Sequence, residues 1–122
     1  MKKILIAEDD KYLASAYKLK LEREGYTIQI AEDGQETLNS LDSFKPDLII
    51  LDIMMPVKDG FITLKELRAN SLYQNIPVIV ASNSGLKEDK EKSMSFGATD
   101  FIVKSDLSMA DLLIKIKNLL SK

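Results

Sequence analysis

Five short apolar runs, separated by longer amphipathic stretches, are the feature that most narrows what this chain can become. They are Ile4 to Ala7, Thr27 to Ala31, Leu48 to Leu51, Val78 to Ala81 and Phe101 to Val103. Each is rich in Ile, Val or Leu and is bounded by charged or turn residues, the pattern of buried strands. Leu48-Ile49-Ile50-Leu51 shows no polar alternation, so both of its faces must be covered. That suits a parallel sheet between helical layers better than a half-exposed antiparallel one.

The intervening stretches read as helices. Leu13, Ala16, Tyr17 and Leu21 fall on one helical face that stops at Gly25. Leu38 and Leu41 mark a shorter helix after an Asp33-Gly34 turn, and Leu64 and Leu67 a third, with Asp59 as its N-cap. The segment from about Leu86 to Phe96 is polar and weakly patterned, closing at Gly97. Met109, Leu112, Leu113, Ile116, Leu119 and Leu120 form the clearest stripe, and Ser108 with Asp111 makes a capping box at its start. Five strand–helix repeats predict a doubly wound α/β fold, a (βα)5 three-layer sandwich of the flavodoxin-like kind. Right-handed crossovers give the parallel sheet the order 2-1-3-4-5. No linker, repeat or low-complexity tract interrupts it, so residues 1–122 are expected to form one domain with no output domain after it.

Composition removes several function classes. Lys+Arg total 17 against 19 for Asp+Glu, a net charge of −2, so no basic surface points to nucleic acid or a membrane. The chain has no cysteine, which excludes disulfides and thiolate metal sites, and no histidine, which excludes imidazole acid–base chemistry and a phosphohistidine of its own. The apolar run after Met1-Lys2-Lys3 is too short for a signal peptide, and no apolar stretch approaches spanning length, so the expected location is the cytoplasm.

On the predicted sheet the acids converge. Glu8, Asp9 and Asp10 follow the first strand, and Asp52 closes the third. In open parallel sheets, ligands bind beyond the carboxyl ends of the strands where the winding reverses, here between the first and third. Carboxylates gathered there repel one another, and a hard divalent cation with oxygen ligands relieves the repulsion, Mg²⁺ being the usual choice beside phosphate. Such a cation neutralises an incoming phosphoryl group so that a remaining carboxylate can act as nucleophile. A hydroxyl and a fixed positive charge complete the requirement, and Ser82 after the fourth strand and Lys104 after the fifth supply them. Singly, each residue has an ordinary explanation: Asp10 as a helix N-cap, Asp52 as a turn residue, Lys104 as a solvated lysine. Together on one edge of one sheet they make coincidence the poorer explanation.

Four segments carry a resemblance. They are Ile4 to Asp10, Asp47 to Pro56 with Asp59-Gly60, Ile76 to Ser82, and Gly97 to Lys104. In order and spacing they resemble the receiver domains of bacterial response regulators, the superfamily that includes the chemotaxis receivers, and the likeness covers essentially the whole chain. The Asp-x-x-Met-Pro-x-x-Asp-Gly segment from Asp52 to Gly60 is its most specific part. The strand order given above is also this family's. The resemblance implies that Asp52 accepts a phosphoryl group from a phosphohistidine on a sensor histidine kinase or histidine phosphotransfer protein, and that the switched surface then meets a downstream protein. It implies Mg²⁺ ligated by Asp9, Asp52 and the Met54 carbonyl, with Glu8 acting largely through water. It assigns Lys104 and Ser82 to phosphoryl oxygens, Phe101 to the aromatic that turns inward with the hydroxyl, and Pro56 and Gly60 to the loop beside the acceptor. Residues Met54 and Ser84 stand where the family tunes the lifetime of the phosphorylated state. In this reading the protein is a signalling switch that promotes its own phosphorylation and dephosphorylation, not an enzyme acting on a separate substrate.

Two positions depart from the pattern. Ser105 follows Lys104 where the family usually has proline, commonly in a cis bond; a cis bond to a non-proline residue costs about 2.5–4 kcal/mol, so a trans bond or a strained loop is expected. Asn83 follows Ser82 where a small residue is preferred, and can narrow access to the phosphoryl site or bond to it. A degenerate receiver, acting as a constitutive binding module, would have lost an acid, the acceptor or the lysine, and all are present. A haloacid-dehalogenase-like phosphatase needs a second Asp two residues after its nucleophile, where this chain has Met54. A flavodoxin-like FMN carrier needs Ser, Thr and Gly in its first loop, where Glu8-Asp9-Asp10 would repel a phosphate.

Overall fold

A computed structural model of the chain describes residues 2–121. Ten elements alternate: β1 (Lys3–Ala7), α1 (Lys11–Arg23), β2 (Thr27–Ala31), α2 (Gly34–Phe44), β3 (Leu48–Asp52), α3 (Gly60–Ala69), β4 (Val78–Ser82), α4 (Lys87–Ser95), β5 (Asp100–Val103) and α5 (Met109–Leu120). All strand pairs are parallel, in the order β2-β1-β3-β4-β5 expected from the sequence.

Both faces of the sheet are covered, and the pleat decides which residue serves which face. Leu5, Ala7, Ile49, Leu51, Val78 and Val80 point into one apolar layer with Leu41 and Phe44 of α2 and Leu64 and Leu67 of α3. Ile4, Ile6, Leu48, Ile50, Ile79 and Ala81 point into the other, against Tyr17 and Leu21 of α1 and Leu112 and Ile116 of α5. Fully burying one such side chain contributes about 1.5–3 kcal/mol, so two apolar layers hold strands β1, β3 and β4, whose ends form the rim.

Helix starts follow the chain's acids and hydroxyls. Asp10 accepts from the amides of Tyr12 and Leu13, Asp59 from Ile62, and Ser108 from Asp111, as their positions before apolar stripes predicted. Two local expectations are corrected. Asp33 and Gly34 do not form a separate turn: Asp33 is the N-cap of α2, accepting from Glu36 N, and Gly34 is its first residue. The buried face of α1 runs through Ala14, Tyr17 and Leu21, while Ala16 is exposed and Leu13 only half-buried. With an alanine at both 14 and 16, the size of the side chain gave no signal for the phase.

Candidate functional site

Strand register places the predicted residues at one rim. Ala7 stands opposite Leu51, and Asp52 opposite Ala81, so Glu8 leaves β1 at the level where Asp52 ends β3. Ser82, the last residue of β4, stands opposite Val103, which puts Lys104 one step beyond the end of β5. Backbone bonds from Glu8 N to Ala31 O (3.0 Å) and from Lys104 N to Ser82 O (2.8 Å) carry the sheet pattern one residue further, so these side chains are aimed by the sheet itself.

The three carboxylates meet. Glu8, Asp9 and Asp52 each offer an oxygen within 4.8 Å of the other two, although Glu8 and Asp52 are buried and Asp9 is exposed. Lys104 reaches into the same space with a side chain only 9% exposed. Its ammonium lies 2.5 Å from Glu8 Oε1 and 3.0 Å from Asp52 Oδ1. The Glu8 contact is a hydrogen bond, whereas Asp52 Oδ1 is left without one and faces the ammonium off the bonding angle. Glu8 Oε2 accepts from the Asp10 amide at 3.2 Å, so both oxygens of Glu8 are engaged.

The electrostatics follow from that crowding. Burial raises the Asp52 carboxyl to about 7; the Glu8 carboxylate beside it pushes the same way, and Lys104 pulls down without undoing it. Burial pulls on Lys104 as well, but its two carboxylate partners win and hold the ammonium above its ordinary value. Buried Tyr17 of α1 lies close enough for Lys104, Glu8 and Asp52 all to bear on its phenol, which burial raises. The helical pattern marked Tyr17 only as a core residue.

A hard cation suits this donor set. Three converging carboxylate oxygens, one of them without a hydrogen bond and one solvent-facing on Asp9, match the oxygen-only preference of Mg²⁺. Ser82 is buried, and its hydroxyl accepts from Ser84 N at 3.0 Å. Met54 is 72% exposed in the loop after β3, and Phe101 is half-buried against the layer that contains Leu64 and Val80. The Lys104–Ser105 peptide is trans, as expected for a non-proline bond.

The loop between Asp52 and α3 is held by two close approaches. Gly60 N donates to Ile53 O at 2.8 Å, and a Cβ on Gly60 would lie 2.2 Å from Asp52 O. A Cβ on Gly34 would lie 2.1 Å from Thr63 Oγ1 and 2.3 Å from Lys58 O, so the first turn of α2 presses on the same loop. Between Pro56 and Lys58 the chain folds into a γ-turn (Lys58 N to Pro56 O, 2.7 Å) with Val57 at φ +67°. The motif reading covered Pro56 and Gly60; neither the strain at Val57 nor the part played by Gly34 carries a sequence signal. Two hollows, of about 460 and 520 Å³, lie beside α2, the second also reaching α3, and share no residue with the carboxylates.

Residues 4–117 match the model of the response regulator receiver domain. The chain is 40% identical over 104 residues to the transcriptional regulatory protein CpxR of Klebsiella pneumoniae, an alignment covering 85% of this chain and 43% of that protein. It spans about half the length of the curated relatives it matches, from 42% of one to 54% of another. Its fold superposes on the receiver domain of the Francisella response regulator 1452 with a TM-score of 0.90 at 35% identity, over 99% of this chain and 98% of that one. The BeF3-activated N-terminal receiver domain of Klebsiella pneumoniae RstA gives 0.92 at 26% identity, over 99% and 100%.

Proposed function

Because this chain belongs to the response regulator receiver domain family of two-component signalling, we propose that it is a switch in which Asp52 carries the phosphoryl group. One observation supports this above the rest: a buried Asp52 whose Oδ1 makes no hydrogen bond, at the strand end where two further acids and a lysine converge. An Asp52 oxygen attacks phosphorus, the bond from phosphorus to the donor's imidazole nitrogen breaks, and an acyl phosphate forms on the chain. These residues contain no histidine, so the phosphoryl donor is a phosphohistidine outside them, on a sensor histidine kinase or a histidine phosphotransfer protein.

Asp9 and Asp52 are the residues to hold Mg²⁺, with the Met54 carbonyl beside them. Glu8, already bound to Lys104, contributes at longer range. When bound, the cation neutralises phosphoryl oxygen charge and the repulsion among the acids. Lys104 then exchanges carboxylate contacts for a phosphoryl oxygen, and Ser82 turns its hydroxyl from Ser84 N toward another. That rotation vacates space for Phe101 and alters the surface offered to a downstream partner. We read residues 1–122 as a single receiver unit; regulation of transcription is what the name of a relative such as CpxR says of that protein. No helix among the described residues is long and apolar enough to cross a membrane.

The decisive assay is phosphorylation with acetyl phosphate, with and without Mg²⁺, read by intact mass, using Asp52→Ala as control. A mass shift that depends on Mg²⁺ and disappears in the variant is expected. Phosphorylation surviving the substitution would refute the assignment.

A further inference from the structure

Helix α4 is held differently from its neighbours. Of its nine residues only Ser93 is buried, and the Ser93 hydroxyl is spent on Asp89 O of the same helix at 2.7 Å. Its N-cap, Leu86, provides no side-chain oxygen to the first turn. The other four helices each bury at least two side chains and begin on a capping acid or hydroxyl. A helix with neither apolar stripe nor cap lacks what normally fixes a helix to its domain.

What α4 has instead is a cation laid on aromatic rings. Lys92 Nζ sits 4.3 Å from the centroid of Phe61 on α3 and 5.9 Å from that of Phe96, the C-cap of α4 itself. The two rings meet edge to face, 6.3 Å apart at 84°, and Lys65 of α3 covers Phe96 from 5.7 Å. Phe61, Lys65 and Arg68 follow one another along one stripe of α3. Arg68 continues the seam past the end of α4, donating to Gly97 O at 2.9 Å and to Tyr73 O at 3.0 Å. Gly97 is at φ +103° and passes so close to Arg68 that a Cβ there would stand 2.9 Å from Arg68 Cγ.

At the other end, α4 is strung from the phosphoacceptor rim by two serines. Ser84 N donates to Ser82 Oγ at 3.0 Å, and Leu86 N donates to Ser84 Oγ at 3.2 Å. The N-cap of α4 is thus joined to the Ser82 hydroxyl through Ser84.

We infer that Lys92 is the latch of α4: its ammonium, seated on Phe61 and Phe96, keeps the helix closed on α3. When that contact is lost, α4 opens as a local unit between the Ser82–Gly85 loop and the Arg68–Gly97 tie. Lys87 and Lys90 of the same helix do not serve, since Lys87 pairs with Glu91 along the helix and neither covers a ring among the described residues. The latch is a property of the folded, unphosphorylated chain and stands apart from whether Asp52 is the acceptor.

Native-state hydrogen exchange of the metal-free protein tests it, comparing amides 90–96 with those of β3, which report global opening. Lys92→Gln keeps the length of the stem and removes the charge. It is expected to speed exchange in α4 about two- to fivefold, the scale of an exposed cation–π contact, with β3 unchanged. Lys92→Arg should hold wild-type rates, and Lys90→Gln should do nothing. Phe61→Leu removes the ring from the α3 side, and adding Lys92→Gln to it should give no further acceleration. Wild-type α4 exchange in Lys92→Gln, equal acceleration by Lys90→Gln, or additive effects of the Phe61 and Lys92 changes would each overturn the latch.

Discussion

The Lys104 ammonium lies closer to Glu8 than to Asp52, 2.5 Å against 3.0 Å, and forms its hydrogen bond with Glu8. In the metal-free protein Lys104 thus occupies the position of a counter-ion for the whole acidic cluster. Its partners are 96 residues away along the chain at Glu8 and on the central strand at Asp52, so it also ties β5 to β1.

Removing that counter-ion should cost stability that magnesium restores. Lys104→Met keeps most of the stem's volume but leaves Glu8 and Asp52 buried without a cation. Breaking a buried pair from one side costs about 3–5 kcal/mol, and part of this is regained here as Asp52 takes a proton. Urea unfolding in chelator at pH 8 should show a loss of about 2–4 kcal/mol. Millimolar Mg²⁺ should raise the stability of the variant more than that of wild type. Equal gains from Mg²⁺ in both proteins would show that Lys104 and the cation do not share a role.

Asp52 sets a pH dependence of known sign. Its carboxyl is raised from 3.8 to about 7, by burial first and then by Glu8. Between about pH 4 and pH 7 the folded chain therefore binds a proton at Asp52 that the unfolded chain has released. Stability falls as pH rises through that window and levels off above it. Three units correspond to a ceiling of about 4 kcal/mol. Metal-free wild type should be less stable at pH 8 than at pH 5.5, and Asp52→Asn should gain most at pH 8 and lose this slope. A wild-type slope retained in Asp52→Asn would assign the titration to another group.

Gly60 is needed for space, not for an unusual backbone angle. A Cβ there would stand 2.2 Å from Asp52 O and 2.8 Å from Ile53 Cα, and neither backbone atom can give way without moving the acceptor. Gly60→Ala is expected to cost about 2–3 kcal/mol, the upper part of the range for overpacking. NMR shifts should centre on Asp52 and Ile53. Gly25→Ala, with nothing within 4 Å of its Cβ but φ +95°, should perturb only the end of α1.

The parts legible in the sequence were those written in local pattern. Leu48 to Leu51 announced a strand covered on both faces, Asp59 before Leu64 a helix start, and Asp52 to Gly60 the loop motif. Ala14 and Ala16 show where the pattern ran out, since small side chains do not fix helical phase. The division of labour within the acidic cluster was not legible either: Glu8 as the main partner of Lys104, and Asp9 left exposed, depend on how β1 and β5 end relative to β3. In α4 the sequence showed polarity without a partner, and the placement of Phe61 opposite Lys92 could not be read from it.

Val57 offers the last test, because its side chain does almost nothing. It is 80% exposed, yet its branched side chain is held at φ +67° within the γ-turn that follows Pro56. A positive φ is a genuine outlier for a β-branched residue, with a strain of about 1–3 kcal/mol. Glycine removes the strain but adds about 0.4–1 kcal/mol of chain entropy to the unfolded state. Val57→Gly should therefore stabilise the protein by about 1 kcal/mol in urea unfolding, and Val57→Ala should fall between the two. Glycine also loosens the turn beside Asp52, so the stabilised variant should show faster backbone motion at residues 55–58. A destabilised Val57→Gly would mean that the turn is relaxed and that the valine side chain contributes contacts after all.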